Sequence, residues 1–403
     1  MLLEALGWLI FLAALIVSVM LHETGHFVTA KRFGMKATQY FFGFGPTLWS
    51  IKRGETEYGF KALPAGGFVK IIGMTSLEEV DPEDEPRAFR RAPAWQRLIV
   101  LAAGSFMHFL FAAVLIFAVG LGIGVENVQS SNTAQIGAVT PCVPSNEQTL
   151  LNGTNSTAGE AESPAALAGL RVGDQVTSFD GVAVSNWTQL QNAILKVKPG
   201  RLIAFTVLRD GQPLTLHTTL AEVKGHGSFF GISPVAVTTF QRLSPLASVQ
   251  SVGTGFSEVV TGSAKAVAQL PGAVPSLFAQ DRVCSAAANV GSVVGAAQAT
   301  GDAVAAGEAW QAKVSYVLLL IASLNIFWGV LNLLPLLPMD GGHIAVVLWE
   351  RIRAWFARLR GRPDPGLFDY RKLIPVSFSV FAVVVFFSLL LIAADIVNPV
   401  SLG

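Results

Sequence analysis

Residues 6–30 are almost wholly apolar, and a run of that length crosses the hydrocarbon core of a bilayer as one α-helix. Inside the run stand His22-Glu23-Thr24-Gly25-His26. A carboxylate at the centre of a membrane helix costs roughly 2.5–3.5 kcal/mol on insertion scales, so ionisable groups there mark a function. The spacing supplies one. Residues four apart share a helix face, so His22 and His26 can ligate one metal ion. Glu23 lies about 100° around the helix from His22, placed to act on a water rather than on the metal.

The rest of the chain supports a membrane setting. Its 403 residues are 52% hydrophobic and 14% charged, a composition expected of a multi-span membrane protein. A net charge of +1 gives no reason to expect a nucleic-acid partner. The apolar start lacks a basic leader and a small-residue cleavage site, and it carries the metal motif, so it is expected to be retained. Four spans are expected, at 6–30, 98–125, 314–337 and Ile374–Val397. Lys31, Arg32 and Lys36 follow the first, and Arg87, Arg90, Arg91 and Arg97 lead into the second. Arg351, Arg353, Arg358, Arg360, Arg362, Arg371 and Lys372 lie between the third and fourth. By the positive-inside rule these loops are cytoplasmic, and both termini and the long segment 126–313 are outside. The two cysteines, Cys142 and Cys284, both fall in that outer segment. A disulfide and two separate thiols are both open readings.

The expected fold is a polytopic α-helical membrane protein with four transmembrane helices, a membrane-associated β-segment and an extracytoplasmic PDZ-like α+β domain. Residues 1–38 hold the first helix. Residues 39–73, with Gly43, Gly45, Gly66, Gly67 and Phe68, read as strands about a polar tip at Arg53-Gly54-Glu55. They are either a β-element dipping into the membrane or an ordinary cytoplasmic hairpin. Residues 74–97 form a surface and interfacial loop, and 98–125 the second helix. In 126–225 the order of short strands, the stretch Ser163–Asp174 and the helical pattern from Trp187 to Val197 resemble a PDZ domain, which binds extended peptides at a sheet edge or serves only as a spacer. Residues 226–313 read as an interfacial linker, 314–342 as the third helix with its trailing motif, 343–373 as a basic loop and 374–403 as the fourth helix.

A catalytic zinc site needs three protein ligands and an open position. The best candidate for the third is Asp340, in Asn332-Leu333-Leu334-Pro335-Leu336-Leu337-Pro338-Met339-Asp340-Gly341-Gly342. If the first and third spans run in the same direction, this motif and the histidines lie at one depth. Pro335 and Pro338 break the helix, and Gly341-Gly342 permits a turn.

Together the motifs resemble the site-2 protease family of intramembrane zinc metalloproteases, specifically its bacterial RseP-like members with one PDZ domain. The likeness spans nearly the whole chain, with every segment in the expected order. It implies one Zn2+ held by His22, His26 and Asp340, Glu23 as catalytic acid and base, and Asn332 in substrate or oxyanion contact. It also implies single-span membrane substrates, such as anti-sigma factors already trimmed outside by another protease, in regulated intramembrane proteolysis at the cell membrane. The family often carries Gly-Pro-x-x-Asn in its second span, where this chain has Gly104-Ser105-Phe106-Met107-His108. His108 is thus either a further metal neighbour or an interior histidine satisfied by a hydrogen bond. A helical substrate hides its carbonyls, so it must unwind, and strands 39–73 are expected to hold the unwound segment by strand pairing. Three rivals stand beside this reading. One is a membrane zinc protease whose third ligand is a Glu. Another is a catalytically inactive membrane-embedded PDZ adaptor. The last is a metal transporter, which would need polar residues along several spans.

Overall fold

The computed structural model describes residues 2–75, 77–144, 161–279, 282 and 291–398. In chain order, α1 (Leu2–Arg32) leads into β1 (Ala37–Arg53), β2 (Thr56–Ile71) and α2 (Ala94–Ala118), which ends in a π-helical turn, Val119–Ile123. Then come β3 (Val125–Ser130), β4 (Ile136–Val139), α3 (Pro164–Leu167), β5 (Gln175–Phe179), β6 (Val182–Ala183) and α4 (Trp187–Lys196). Strands β7 (Leu202–Arg209), β8 (Gln212–Thr219), β9 (Ala221–Val223), β10 (Gly227–Phe229), β11 (Ile232–Pro234) and β12 (Ala236–Gln241) follow. The chain ends with α5 (Pro245–Ala273), α6 (Val293–Ala305), α7 (Trp310–Asn332), α8 (Asp340–Leu359) and α9 (Ile374–Val397). Two compact units result: Met1–Gly122 with Leu243–Ser263 and Ala297–Leu389, and Ile123–Arg242 with Ala264–Ala296 and Leu390–Gly403.

Among the described residues, four helical stretches are long and apolar enough to cross a membrane: Leu2–Arg32, Ala94–Ile123, Trp310–Asn332 and Tyr370–Val397. Lipid gives helices no hydrophobic reason to associate, so close approach depends on small residues. Gly25 of α1 provides it: a β-carbon there would lie 2.4 Å from the Ala103 carbonyl oxygen of α2. Gly329 of α7 does the same, with a β-carbon meeting the Phe109 ring at 2.4 Å.

The expected strands form a curled antiparallel sheet. The first half of β1 lies between both ends of β2, pairing Tyr40 with Tyr58 on one side and with Val69 on the other. The second half of β1 returns along the outside, pairing Ile51 with Tyr58. One edge of the sheet is therefore Gly67–Ile71. Tyr40 anchors the sheet to α1, its hydroxyl sitting 2.8 Å from Thr24 Oγ1 and donating to the Met20 carbonyl at 3.2 Å. At the tip, Glu55 accepts from both terminal nitrogens of Arg87, at 2.6 and 2.9 Å, and from Lys31 at 2.5 Å.

Three boundaries differ from the sequence expectation. The third span ends at Asn332, five residues before the expected 337 and ahead of Pro335 and Pro338, which cannot continue the helix, and Asp340 opens α8. The segment expected to be a basic loop, 343–373, is mostly α8. The soluble domain does not close at 225. Strands β11 and β12 pair with β4 and β3, and Phe230 joins the core of Ile136, Phe179, Leu190 and Phe205, so the domain extends to Gln241.

That domain is built on the antiparallel sheet β6-β5-β7-β8, with α4 packed through Leu190 and Ile194. Ser163 caps α3, accepting from the Ala166 amide at 3.2 Å, and Arg209 holds Asp174 with two bonds of 2.8 and 2.7 Å. A groove of ≈ 200 Å³ between α4 and the Phe229–Ile232 turn is lined by Trp187, Gln191, Ile194, Leu195 and Phe230. Cys142 is buried and not a free thiol, while Cys284 lies outside the described residues.

Candidate metal centre and active site

The site is assembled by α1, α2, the β2 edge and the α7–α8 turn. His22 and His26 stack one above the other on α1, with Nε2 atoms 3.1 Å apart. Asp340 Oδ2 lies 3.3 Å from His22 Nε2 and 3.2 Å from His26 Nε2. The α7–α8 turn carries the carboxylate there because Gly341 and Gly342 let the chain fold back on itself. A β-carbon on Gly341 would lie 2.2 Å from the Leu334 carbonyl oxygen.

The three atoms thus form a nearly equilateral triangle. Ligand atoms 2.0–2.2 Å from a tetrahedral ion stand about 3.3–3.6 Å apart, so this triangle is of the right size for zinc. Asp340 Oδ2 is buried without a hydrogen-bond donor, which is a position for a cation. The tautomer also fits. His26 Nδ1 donates to the Val100 carbonyl of α2 at 2.7 Å, leaving Nε2 as the free lone pair. The donor set of two imidazoles and one carboxylate leaves one tetrahedral position open, as a catalytic site requires. A bound zinc supplies Lewis acidity that makes water nucleophilic near neutral pH.

Glu23 points away from the histidine face toward the sheet edge. Its Cγ lies against Gly67, where a β-carbon would approach to 3.2 Å, and its carboxylate is within hydrogen-bonding reach of the Val69 backbone. The carboxylate therefore stands between the ligand triangle and the Gly67–Ile71 edge of the sheet. There it can take a proton from an attacking water and pass it to a departing amine.

Of the other expected strand residues, Gly43, Gly45 and Gly66 all have positive φ, at 89°, 82° and 136°, and shape the bend of the sheet. Phe68 stacks on Phe41, with ring centroids 5.8 Å apart. Asn332 is the last residue of α7, and no hydrogen bond among the described residues joins its amide to Glu23 or the ligands. His108 is satisfied: its Nδ1 is 2.8 Å from Asn325 Oδ1, whose amide nitrogen donates to Ser18 Oγ and the Ile321 carbonyl. Its ring nevertheless stands beside His22, at 4.9 Å between centroids. His343 turns toward the Tyr370 hydroxyl, 3.4 Å from Nδ1.

Two contributors escaped the sequence reading. Val100 acts through a carbonyl, which any residue carries. Gly104 acts by having no side chain, since a β-carbon there would lie 2.4 Å from His26 Nε2 and 2.5 Å from His22 Cε1. Its sequence signals are a glycine inside an apolar helix, where alanine would be the better helix former, and its place at the Gly of the Gly-Pro-x-x-Asn pattern; neither names its contact with the histidines.

The model of peptidase family M50 matches residues 10–362. The zinc metalloprotease Rip1 of Mycolicibacterium smegmatis is 36% identical, the alignment covering 98% of each chain. Rip1 of Mycobacterium tuberculosis strain H37Rv is 37% identical, again over 98% of each. Among solved structures, the HtrA3 PDZ domain bound to a phage-derived ligand aligns with 28% of this chain and 92% of its own, at 18% identity and a TM-score of 0.13. With a family match over most of its length and full-length relatives above 30% identity, the chain belongs to peptidase family M50, the site-2 proteases, and is a membrane zinc metalloprotease.

Proposed function

We propose that the enzyme hydrolyses peptide bonds inside the transmembrane segment of single-span membrane proteins. The observation that carries this reading is the position of Glu23, between the ligand triangle and the Gly67–Ile71 edge, within a bundle of apolar helices. An unwound substrate adding to that edge as a strand would pair its backbone with β2 and bring a carbonyl toward Glu23 and the metal ligands. Gly67 leaves room for the Glu23 side chain at that edge, and Phe68 and Val69 lie on the same edge. Asn332 is assigned to the substrate or its oxyanion.

The basic segments around Arg87–Arg97 and Arg351–Lys372 favour a cytoplasmic position, with the PDZ-like domain and both termini on the outside of the cell membrane. In that orientation the α4 groove faces the ectodomains of substrates. It suits a filter that engages a peptide and passes only proteins trimmed by an earlier protease, anti-sigma factors being the expected kind.

The test is cleavage of a tagged single-span substrate in membranes by wild type and Glu23→Ala, with zinc quantified in both. One zinc per chain in each, and cleavage by wild type alone, is the expected result. Cleavage by Glu23→Ala at the wild-type rate overturns the role of Glu23. For the filter, deleting residues 130–241 is expected to permit cleavage of an untrimmed substrate, and unchanged selectivity sinks it.

A further inference from the structure

Helix α8 has two apolar faces, and only one is covered. Val346, Val347 and Ala354 are buried together with Glu350, whose carboxylate accepts from Arg97 of α2 at 2.9 Å. On the far side Leu348, Trp349, Ile352, Trp355, Phe356 and Leu359 are between 45% and 65% exposed. Their spacing of i, i+1, i+4, i+7, i+8 and i+11 makes a single stripe along the helix. At 100° per residue, Arg351 and Arg358 fall on one flank of the stripe, and Arg353 and Arg360 on the other. Arg362 follows the helix end.

The charge on these flanks is uncompensated. The only carboxylates of α8 are Asp340, in the ligand triangle, and Glu350, paired with Arg97. Among the described residues Arg351, Arg358, Arg360 and Arg362 make no ion pair. Trp349, Ile352, Arg353, Phe356, Arg360 and Arg362 line an open groove of ≈ 440 Å³, so cationic and apolar groups share one concave surface.

The helix is also tethered close to the bilayer. Seven residues separate it from the span ending at Asn332, and ten separate it from the span that opens at Tyr370. An uncovered apolar stripe with arginines on both sides, held between two spans, has the pattern of a helix lying in the membrane–water interface. A second copy is a poorer occupant, because a two-fold contact through this face would bring like-charged flanks together.

We propose that α8 lies in the plane of the membrane, with its stripe among the acyl chains, and that its arginines bind the phosphates of anionic phospholipids. The chemistry is that of the guanidinium fork with phosphate oxygens. Asp340 is the first residue of the same helix, so the lipids that seat α8 also help to position a metal ligand.

The experiment uses the full-length, zinc-loaded protein in vesicles of phosphatidylglycerol and phosphatidylcholine, with one or the other brominated. Tryptophan quenching in wild type is compared with W349F/W355F to isolate these two residues. Both lipids are expected to quench this component, brominated phosphatidylglycerol about twofold more deeply at equal mole fraction. R351Q/R358Q/R360Q/R362Q is expected to keep the quenching and to bring the ratio to one. Added inorganic phosphate is expected to leave the wild-type ratio unchanged. Absence of quenching by either lipid overturns the proposal and points to a protein on the stripe. A wild-type ratio of one removes the anionic preference, and a ratio abolished by free phosphate reassigns the groove to a soluble ligand. The wild-type arms decide each case even if the quadruple variant does not fold.

Discussion

Gly104 of α2 lies against His26 of α1, so that a β-carbon at position 104 would stand 2.4 Å from the Nε2 atom that His26 offers to the candidate metal triad. The nearest obstacles are the ligand rings themselves, which cannot move without opening the triangle with Asp340. Gly104→Ala is therefore expected to lower zinc affinity by about 10–100-fold or more, the range seen when groups supporting metal ligands are lost. Proteolysis should fall with it. Metal content after dialysis against a graded chelator is the measurement. Wild-type retention of zinc in this variant would show that α1 and α2 can separate without disturbing the site.

Gly67 makes the complementary prediction, because it touches Glu23 and none of the three candidate metal ligands. A β-carbon there meets Glu23 Cγ at 3.2 Å, the Phe41 carbonyl oxygen at 3.2 Å and Val19 at 3.3 Å. Alanine needs only small adjustments, whereas valine must push the Glu23 side chain or the strand edge. Gly67→Val is expected to retain zinc and to lose about 100-fold in kcat/KM, the effect of roughly an ångström of misplacement at a reacting centre. Zinc loss in parallel with activity would instead assign Gly67 to the metal site.

The tip of the sheet predicts a dependence on acid. The bonds from Arg87, aided by Lys31, hold the Glu55 carboxyl down at about 2, below its ordinary value of 4.5. A carboxyl depressed on folding contributes stability that is present above pH 4.5 and lost as the pH falls from there toward 2. The group is partly solvated, so the contribution is at most about 1 kcal/mol. Thermal midpoints of wild type and Glu55→Gln in detergent should differ at pH 6 and converge as the pH falls through 4 toward 3. A gap that stays constant over this range would mean that the carboxylate charge is not what ties the sheet to Lys31 and Arg87.

The parts of this molecule legible in its sequence are those written in side-chain type and spacing. His22 and His26 were readable because four residues make one helical turn, and Asp340 because a helix-breaking motif ended the span that should reach the same depth. The strands were readable as two runs about the polar tip at Arg53-Gly54-Glu55. What was hidden lies in backbone and shape. The Val100 carbonyl and the absent side chain of Gly104 act across 74 and 78 positions from His26, and no local pattern ties either to the histidines. Helix α8 was hidden for another reason. With apolar residues on two faces and arginines between them, its average hydropathy is that of a polar loop, and only the period of Leu348, Ile352, Trp355 and Leu359 betrays it. The soluble domain was cut short at 225 because its last strands, β11 and β12, pair with β4 and β3 far upstream, a pairing that local pattern does not report.

The pair that fixes α8 to α2 yields the last prediction. Arg97 and Glu350 are both buried, and Glu350 accepts a second bond from the Phe368 amide at 2.8 Å. Removing one partner leaves a buried charge without its counterion, at a cost of about 3–5 kcal/mol, whereas replacing both with apolar residues of similar size is far milder. Glu350→Ala is thus expected to unfold markedly more easily than wild type, and R97M/E350M to recover most of the difference. Because α8 begins at Asp340, the single variant should also bind zinc more weakly, and the double variant should regain that binding as the helix reseats. Unfolding in a denaturant series and zinc titration read the two effects separately. If the double variant is as unstable as the sum of its single changes, the two side chains act independently and α8 is held to α2 by its apolar face alone.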